Sequence, residues 1–264
     1  MGSRSMEDTI LVDRRDDIAV VTLNRPEKRN ALRQQDWGAL ADALDALGDD
    51  DSLRCLVLRG AGTAAFCAGA DIGGFEAERS TREKVRAYEA VTGRAFAAAH
   101  TCRHPVIAMV YGFCLGGGFE LALGCDLRIS AMSGRFGIPA KNVGLFLSYS
   151  LLELLIDAGG KAIAAEILLE GRALPALEAQ AKNLITRVVD DDGLEEDVMN
   201  AARRIADGAP LSARWHRDAI RRIAQPSPYS AAELEAQYDY ADSDDYKAGY
   251  QAFLGGKKPT FKGR

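Results

Sequence analysis

The stretch from Pro105 to Asp126 constrains this chain more than any other. It starts with five apolar residues, Val106 to Val110, long enough for a strand buried on both faces. Three consecutive glycines follow, Gly116, Gly117 and Gly118, and a helical pattern then opens with Glu120 in its first turn. Glycine lets another group approach bare backbone, and the first N–H groups of a helix have no partner within the helix. Such donors suit a developing oxyanion. Glu120, two residues past the last glycine, is close enough to act as a base at the same place. The plain alternative is a tight strand-to-helix turn with a carboxylate favoured by the helix dipole.

The rest of the chain alternates in the same way. Residues 18–23 are β-branched and apolar and end at Asn24-Arg25-Pro26, which predicts a strand and a turn. Trp37, Leu40, Leu44 and Leu47 fall at helical spacing before Gly48. Strands are expected at 53–58, 106–110, 127–130 and 186–189. Helices are expected at 160–169, with Gly171 as the stop, and from Leu194 onward with breaks at Pro210 and Pro226-Ser-Pro228. The charged run 76–89 reads as a solvated helix. This alternation predicts an α/β fold with a helical C-terminal part. The core is expected over 6–203 and the helical segment over 204–264. Residues 1–5 read as an appended leader ahead of Met6 rather than as a signal peptide.

Composition removes several function classes. A net charge of −5 argues against nucleic acid as a partner. No apolar run approaches the ~20 residues needed to span a bilayer, so no membrane role is expected. The five cysteines form no CxxC pair, which points to free buried thiols and a reducing cytoplasm. The three histidines are scattered without ligand spacing, so no metal site is expected. The chain also lacks GxSxG, HExxH, a Walker A loop and a GxGxxG after a strand.

A second glycine turn, Ala68-Gly69-Ala70-Asp71, also follows a short apolar run. Two such turns on neighbouring strands could each give one N–H to a thioester or ester carbonyl and hold the enolate formed from it. Each good donor lowers a barrier by roughly 3 kcal/mol.

Four segments together resemble the crotonase superfamily, the enoyl-CoA hydratase/isomerase group. They are Asn24-Arg-Pro-Glu-Lys-Arg-Asn-Ala-Leu32, Phe66-Cys-Ala-Gly-Ala-Asp71, Pro105 to Asp126, and Phe136-Gly-Ile-Pro139. The resemblance implies a spiral of ββα units, a CoA thioester substrate, and homotrimers often paired into homohexamers. It implies no cofactor apart from the coenzyme A carried by the substrate. It also implies an oxyanion hole from the N–H groups of Ala68 and Gly117, with Ala68, Gly69, Ala70 and Asp71 running along the CoA. Gly116 and Lys28 would also bind substrate, and the C-terminal segment would complete the site and the oligomer contacts. Glu120 matches the first of the two catalytic glutamates of hydratases.

This sequence departs from the family at the second glutamate, where it has Ala140. Alanine can neither activate a water nor exchange a proton, so Glu120 remains the sole mapped acid–base group. Tyr149 is the most interesting of the helpers nearby, ahead of Asn142, Ser148, Tyr111 and Cys67, because its segment could face the acyl pocket. Asp71 is expected to fix its turn, and His104 and Glu166 to be structural. Lys257, Lys258, Lys262 and Arg264 suit a phosphate-rich ligand by charge. The expected activity is enolate chemistry of the hydratase/isomerase type. The alternatives are an enoyl-CoA isomerase, a malonyl-type decarboxylase resembling methylmalonyl-CoA decarboxylase, and a non-catalytic acyl-CoA-binding protein.

Overall fold

A computed structural model describes residues 9–264, so the expected leader lies outside the described residues. The chain opens with an antiparallel hairpin, β1 (Ile10–Arg15) and β2 (Ile18–Leu23), followed by α1 (Gln34–Gly48). Next come β3 (Cys55–Gly60), β4 (Ala65–Cys67), α2 (Phe75–Arg79) and α3 (Arg82–Thr101). The pattern repeats with β5 (Val106–Val110), β6 (Phe113–Leu115) and α4 (Gly117–Leu123). It repeats once more with β7 (Leu127–Ala131), β8 (Arg135–Gly137) and α5 (Tyr149–Glu170). Each of these three ββα units gives its first strand to one sheet and its second strand to another. The large sheet has the order β1-β2-β3-β5-β7-β10, and the small one β4-β6-β8-β9. Here β9 is Leu174–Pro175 and β10 is Arg187–Val189, separated by α6 (Ala176–Ala181).

From β2 onward the large sheet is parallel. Parallel strands covered on both faces need continuous apolar runs, as β2, β3 and β5 have. One face packs on a core containing Trp37, Leu40, Phe96, Phe119 and Phe136. The other is covered by α7 (Leu194–Ala206), whose Leu194, Val198 and Met199 meet Val20, Val57 and Ile107. Because α7 packs on the sheet and ends at Ala206, the expected boundary after residue 203 cuts through a core helix. The helical remainder begins at Pro210, the first residue of α8 (Pro210–Ile223), and continues through α9 (Ala231–Ala236) and α10 (Asp244–Leu254).

The charged run 76–89 is not one solvated helix. It breaks at Ser80 and Thr81 between α2 and α3, and it carries Tyr88 into the core. Helix α5 also begins eleven residues before the expected start at Gly160, which is a kink with φ of +80°. All five cysteines are buried free thiols, and among the described residues no metal-holding cluster and no membrane-length apolar helix occurs.

Candidate active site

The two glycine turns sit at the ends of neighbouring parallel strands. Strand β4 pairs with β6, and β6 with β8. Their backbones then close on each other. A Cβ at Gly118 would lie 2.2 Å from the Cys67 carbonyl oxygen. Gly69 has φ of +94°, and a Cβ there would meet Leu115 O at 2.9 Å and Gly117 N at 3.1 Å. Only glycine permits both the conformation and the approach.

Hydrogen bonding separates the N–H groups of the two turns. Gly116 N–H donates to Gly137 O, while Phe119 and Glu120 donate to Gly116 O. Gly117 N–H has no acceptor among the described residues. On the other turn, Ala68 N–H donates to Arg29 O at 3.0 Å. The expectation that Ala68 supplies an oxyanion donor is therefore corrected, because that N–H is already used inside the protein. Leu32 pairs with Ala70 in a parallel bridge in which Leu32 N–H donates to Gly69 O and Asp71 N–H donates to Leu32 O. Successive N–H groups in extended backbone point in opposite directions, so Ala70 N–H points away from Leu32.

The loop after β2 builds this arrangement. Arg29 and Asn30 both adopt positive φ. The buried Asn30 amide donates to Ala61 O and Ala65 O, and its oxygen accepts from Arg25 N–H. Arg25 in turn donates to Ala31 O and to Asp71 at 2.9 Å. Asp71 also accepts from Gly73 N–H, and the Arg25 contact holds its carboxyl below the usual range. Asp71 thus fixes its turn. Asn30 and Arg25 were not singled out from sequence, although both lie in the 24–32 motif; the signal was a polar residue inside a loop that has to reverse direction. Lys28 stands exposed at the rim, near enough for its charge to act on Asp71.

Glu120 is only 8% exposed. Burial pushes its carboxyl up to about 7, and the charge of Arg79 partly opposes the shift. A carboxyl poised there can both hold and release a proton near neutrality. Around it, the Trp37 ring lies 3.1 Å from where a Gly117 Cβ would stand and packs edge-on against Phe96.

The expected helpers do not gather here. Tyr149 is 77% exposed and packs edge-on against Phe146, so its expected place in the acyl pocket is corrected. It opens α5 outside the apolar stripe formed by Leu151, Leu152 and Leu155. Asn142 is exposed as well, and the Tyr111 hydroxyl donates to Asp191 O on the far side of the large sheet. Burial pushes the Cys67 thiol up to about 12. Ala140 is buried at the start of a helical turn, Ala140–Val143, against the core and brings no acid–base group. His104 bonds to Asp50 O, and burial pushes it down to about 4. Glu166 pairs with Arg172 and Lys182 at the surface. The basic C-terminal residues do not form one patch: Lys258 pairs with Asp207 and Arg264 with Asp244. The tail is pinned where Lys262 and Gly263 N–H groups donate to buried Asp245.

The sequence profile described as enoyl-CoA hydratase/isomerase matches residues 13–264. The chain belongs to the enoyl-CoA hydratase/isomerase family. This family member is 33% identical to a probable enoyl-CoA hydratase of Mycobacterium tuberculosis over 97% of its own length and 99% of the relative's. It is 32% identical to the crotonyl-CoA hydratase of Syntrophomonas wolfei, covering 96% of this chain and 98% of that one. Among solved structures it is similar to an enoyl-CoA hydratase/carnithine racemase from Magnetospirillum magneticum, with a TM-score of 0.96 and 45% identity. That match covers 98% of this chain and 97% of the other. The fold is that of the crotonase superfamily, and the protein is an acyl-CoA enzyme of this hydratase/isomerase family.

Proposed function

We propose that this enzyme holds the thioester carbonyl of an acyl-CoA between the N–H groups of Ala70 and Gly117 and moves a proton at the adjacent carbon with Glu120 alone. The observation that carries this reading is a buried carboxyl with its pKa at about 7, three residues along the helix from an N–H without an acceptor. Two donors stabilise the enolate oxygen more than the ground-state carbonyl oxygen, which is what lowers a barrier. Glu120 as carboxylate takes a proton from carbon and, as acid, returns it.

One acid–base group is sufficient to move a double bond: the proton leaves one carbon and is delivered to another by the same carboxyl. Addition of water is the reaction named for several relatives. With Ala140 in place of the second glutamate, Glu120 would have to serve both the water and the carbon, so hydration is the slower reaction on this reading. Abstraction from carbon needs the ionised form, so kcat/KM should rise with pH and level off above about 7. A panel of 2-enoyl-, 3-enoyl- and malonyl-type CoA esters, with products identified by mass and NMR, tests the proposal. Turnover of the malonyl-type ester alone, undiminished in Glu120→Gln, would replace proton transfer with decarboxylation.

The reading extends to assembly as a homotrimer or homohexamer, with CoA supplied only as part of the substrate and the cytoplasm as the compartment. Apolar side chains left exposed on the C-terminal helices, including Ile220, Ile223, Phe253 and Leu254, support assembly. Light scattering of the purified chain measures it. Lys28 and Gly116 remain candidate substrate contacts at the rim and floor of the site.

A further inference from the structure

Beside Glu120 lies a group of polar atoms that proton transfer at the α-carbon does not use. Trp37 from α1 and Tyr88 from α3 are each 1% exposed. The Trp37 indole N–H, the Tyr88 hydroxyl and the Arg79 Nε are buried and none makes a well-formed hydrogen bond, although Trp37 and Arg79 both stand close enough to the Tyr88 hydroxyl to oppose the upward pKa shift that burial gives it. Arg79, the last residue of α2, lies with its guanidinium 3.6 Å from the Tyr88 ring centroid and 4.6 Å from that of Phe75. Among the described residues no carboxylate forms an ion pair with it. Buried polar groups without a well-formed partner are rare and costly, and the neutral Tyr88 oxygen, which the chain offers to the other two, supplies no counter-ion for the guanidinium.

These atoms border the candidate active site. The Trp37 ring edge lies against Gly117, and the Arg79 charge acts on Glu120. An acyl group held by its carbonyl at Gly117 would therefore extend past them. A hydrocarbon chain would leave these donors no better met than they are and the guanidinium charge without a counter-ion. A hydroxyl or ketone would meet one of them and leave the guanidinium charge without a counter-ion. A carboxylate has two oxygens that can accept from all three donors, and it carries the opposite charge, in a planar form that matches the guanidinium.

We propose that the acyl group of the substrate carries a second carboxylate, bound by Arg79, Tyr88 and Trp37. This rests on the placement of the thioester carbonyl at Gly117 argued above. The carboxylate lies either on the α-carbon, as in malonyl-type thioesters, or at the far end of a longer dicarboxylic chain. The donor set is the same in both cases.

Calorimetric titration of the protein decides it. Malonyl-, succinyl-, glutaryl- and adipyl-CoA are each compared with the thioester in which an isopropyl group replaces the carboxylate, at matched size. At least one carboxylate member should bind about tenfold or more tightly than its partner, the scale of a charge-assisted contact in a buried site. The chain length that shows the preference locates the carboxylate. Arg79→Gln should abolish the preference, and Tyr88→Phe, which keeps the ring beneath the guanidinium, should reduce it several-fold. Equal binding within all four pairs, or a preference that survives Arg79→Gln, overturns the proposal. If none of the eight thioesters binds, the placement of the carbonyl at Gly117 fails as well. If the isopropyl members bind as well as the carboxylates, only the second carboxylate is lost.

Discussion

The two glycine turns end neighbouring parallel strands, yet they dispose of their backbone N–H groups differently. At 116–118 the chain turns into α4, so Gly117 N–H lies ahead of any intrahelical acceptor and stays open. At 68–71 the chain runs on beside the loop after β2, and Ala68 N–H is consumed by Arg29 O. The open donor on this side is Ala70, two residues later. Two turns that look alike in small-residue content therefore offer different atoms, and the difference comes from a loop nearly forty residues away in sequence.

The largest expected effect tests whether both turns serve one carboxyl. Glu120→Gln keeps the side-chain volume and removes the base, so kcat should fall by ~10²–10⁴ with KM little changed. A steady-state assay on the best enoyl-CoA substrate reads this directly, and a loss of only a few-fold would remove Glu120 from the chemistry.

Proline scanning breaks the comparison between the turns. Gly117→Pro and Ala70→Pro each delete an open N–H and should cost roughly a hundredfold in kcat when the folded fraction, checked by circular dichroism, is unchanged. Ala68→Pro deletes an N–H that is satisfied within the protein. Its main effect should be on thermal stability, with the loss of about one buried hydrogen bond. If instead Ala68→Pro folds normally and loses the rate while Ala70→Pro does not, the assignment of donors is reversed.

Burying Glu120 should also show in stability. Its folded pKa of about 7 lies above the ordinary 4.5, so the folded state holds an extra proton between those values. Stability therefore falls as pH rises from about 4.5 to about 7 and stays lowered above that. The change is on the order of 3 kcal/mol. Urea denaturation at pH 4.5 and pH 8 should show wild type losing more stability than Glu120→Gln across this window. Parallel curves for the two proteins would mean that the carboxyl titrates normally.

Asn30→Ala should cost about 1–3 kcal/mol, because it leaves Ala61 O, Ala65 O and Arg25 N–H without the partner they share. Some activity should be lost with it, since this residue shapes the loop that carries Arg29 O to Ala68. The smallest expected effect is a gain: Ala140→Glu should raise water addition relative to double-bond movement by about tenfold, if a second acid–base group is what hydration lacks. A product ratio unchanged by a folded Ala140→Glu protein would show that Ala140 is not the limiting position.

Much of the architecture was legible in sequence because it rests on local patterns. The apolar runs of β2 and β5, the helical spacing of Trp37 to Leu47 and the stop at Gly171 each depend on near neighbours. Short strands such as β4, β6 and β8 were not legible, since three residues carry no periodicity and their pairing is set by the sheet. The same holds for the break at Ser80 and Thr81, where a run rich in charge concealed Tyr88 as a core residue.

Sequence by itself determined that a glycine turn, an apolar helix and one carboxylate adjoin at 116–120, which is a fact of residue identity and spacing. That Ala140 stands where a second carboxylate would be is what the resemblance to the family implies. Only the tertiary structure decided which N–H groups are open, that Glu120 is buried enough to titrate near neutrality, and that Trp37, Arg79 and Tyr88 meet beside it. It also decided that Tyr149 faces solvent. The physical reason is the same in each case: desolvation and hydrogen-bond satisfaction depend on what packs against an atom, and here the packing partners come from elements far apart in the chain.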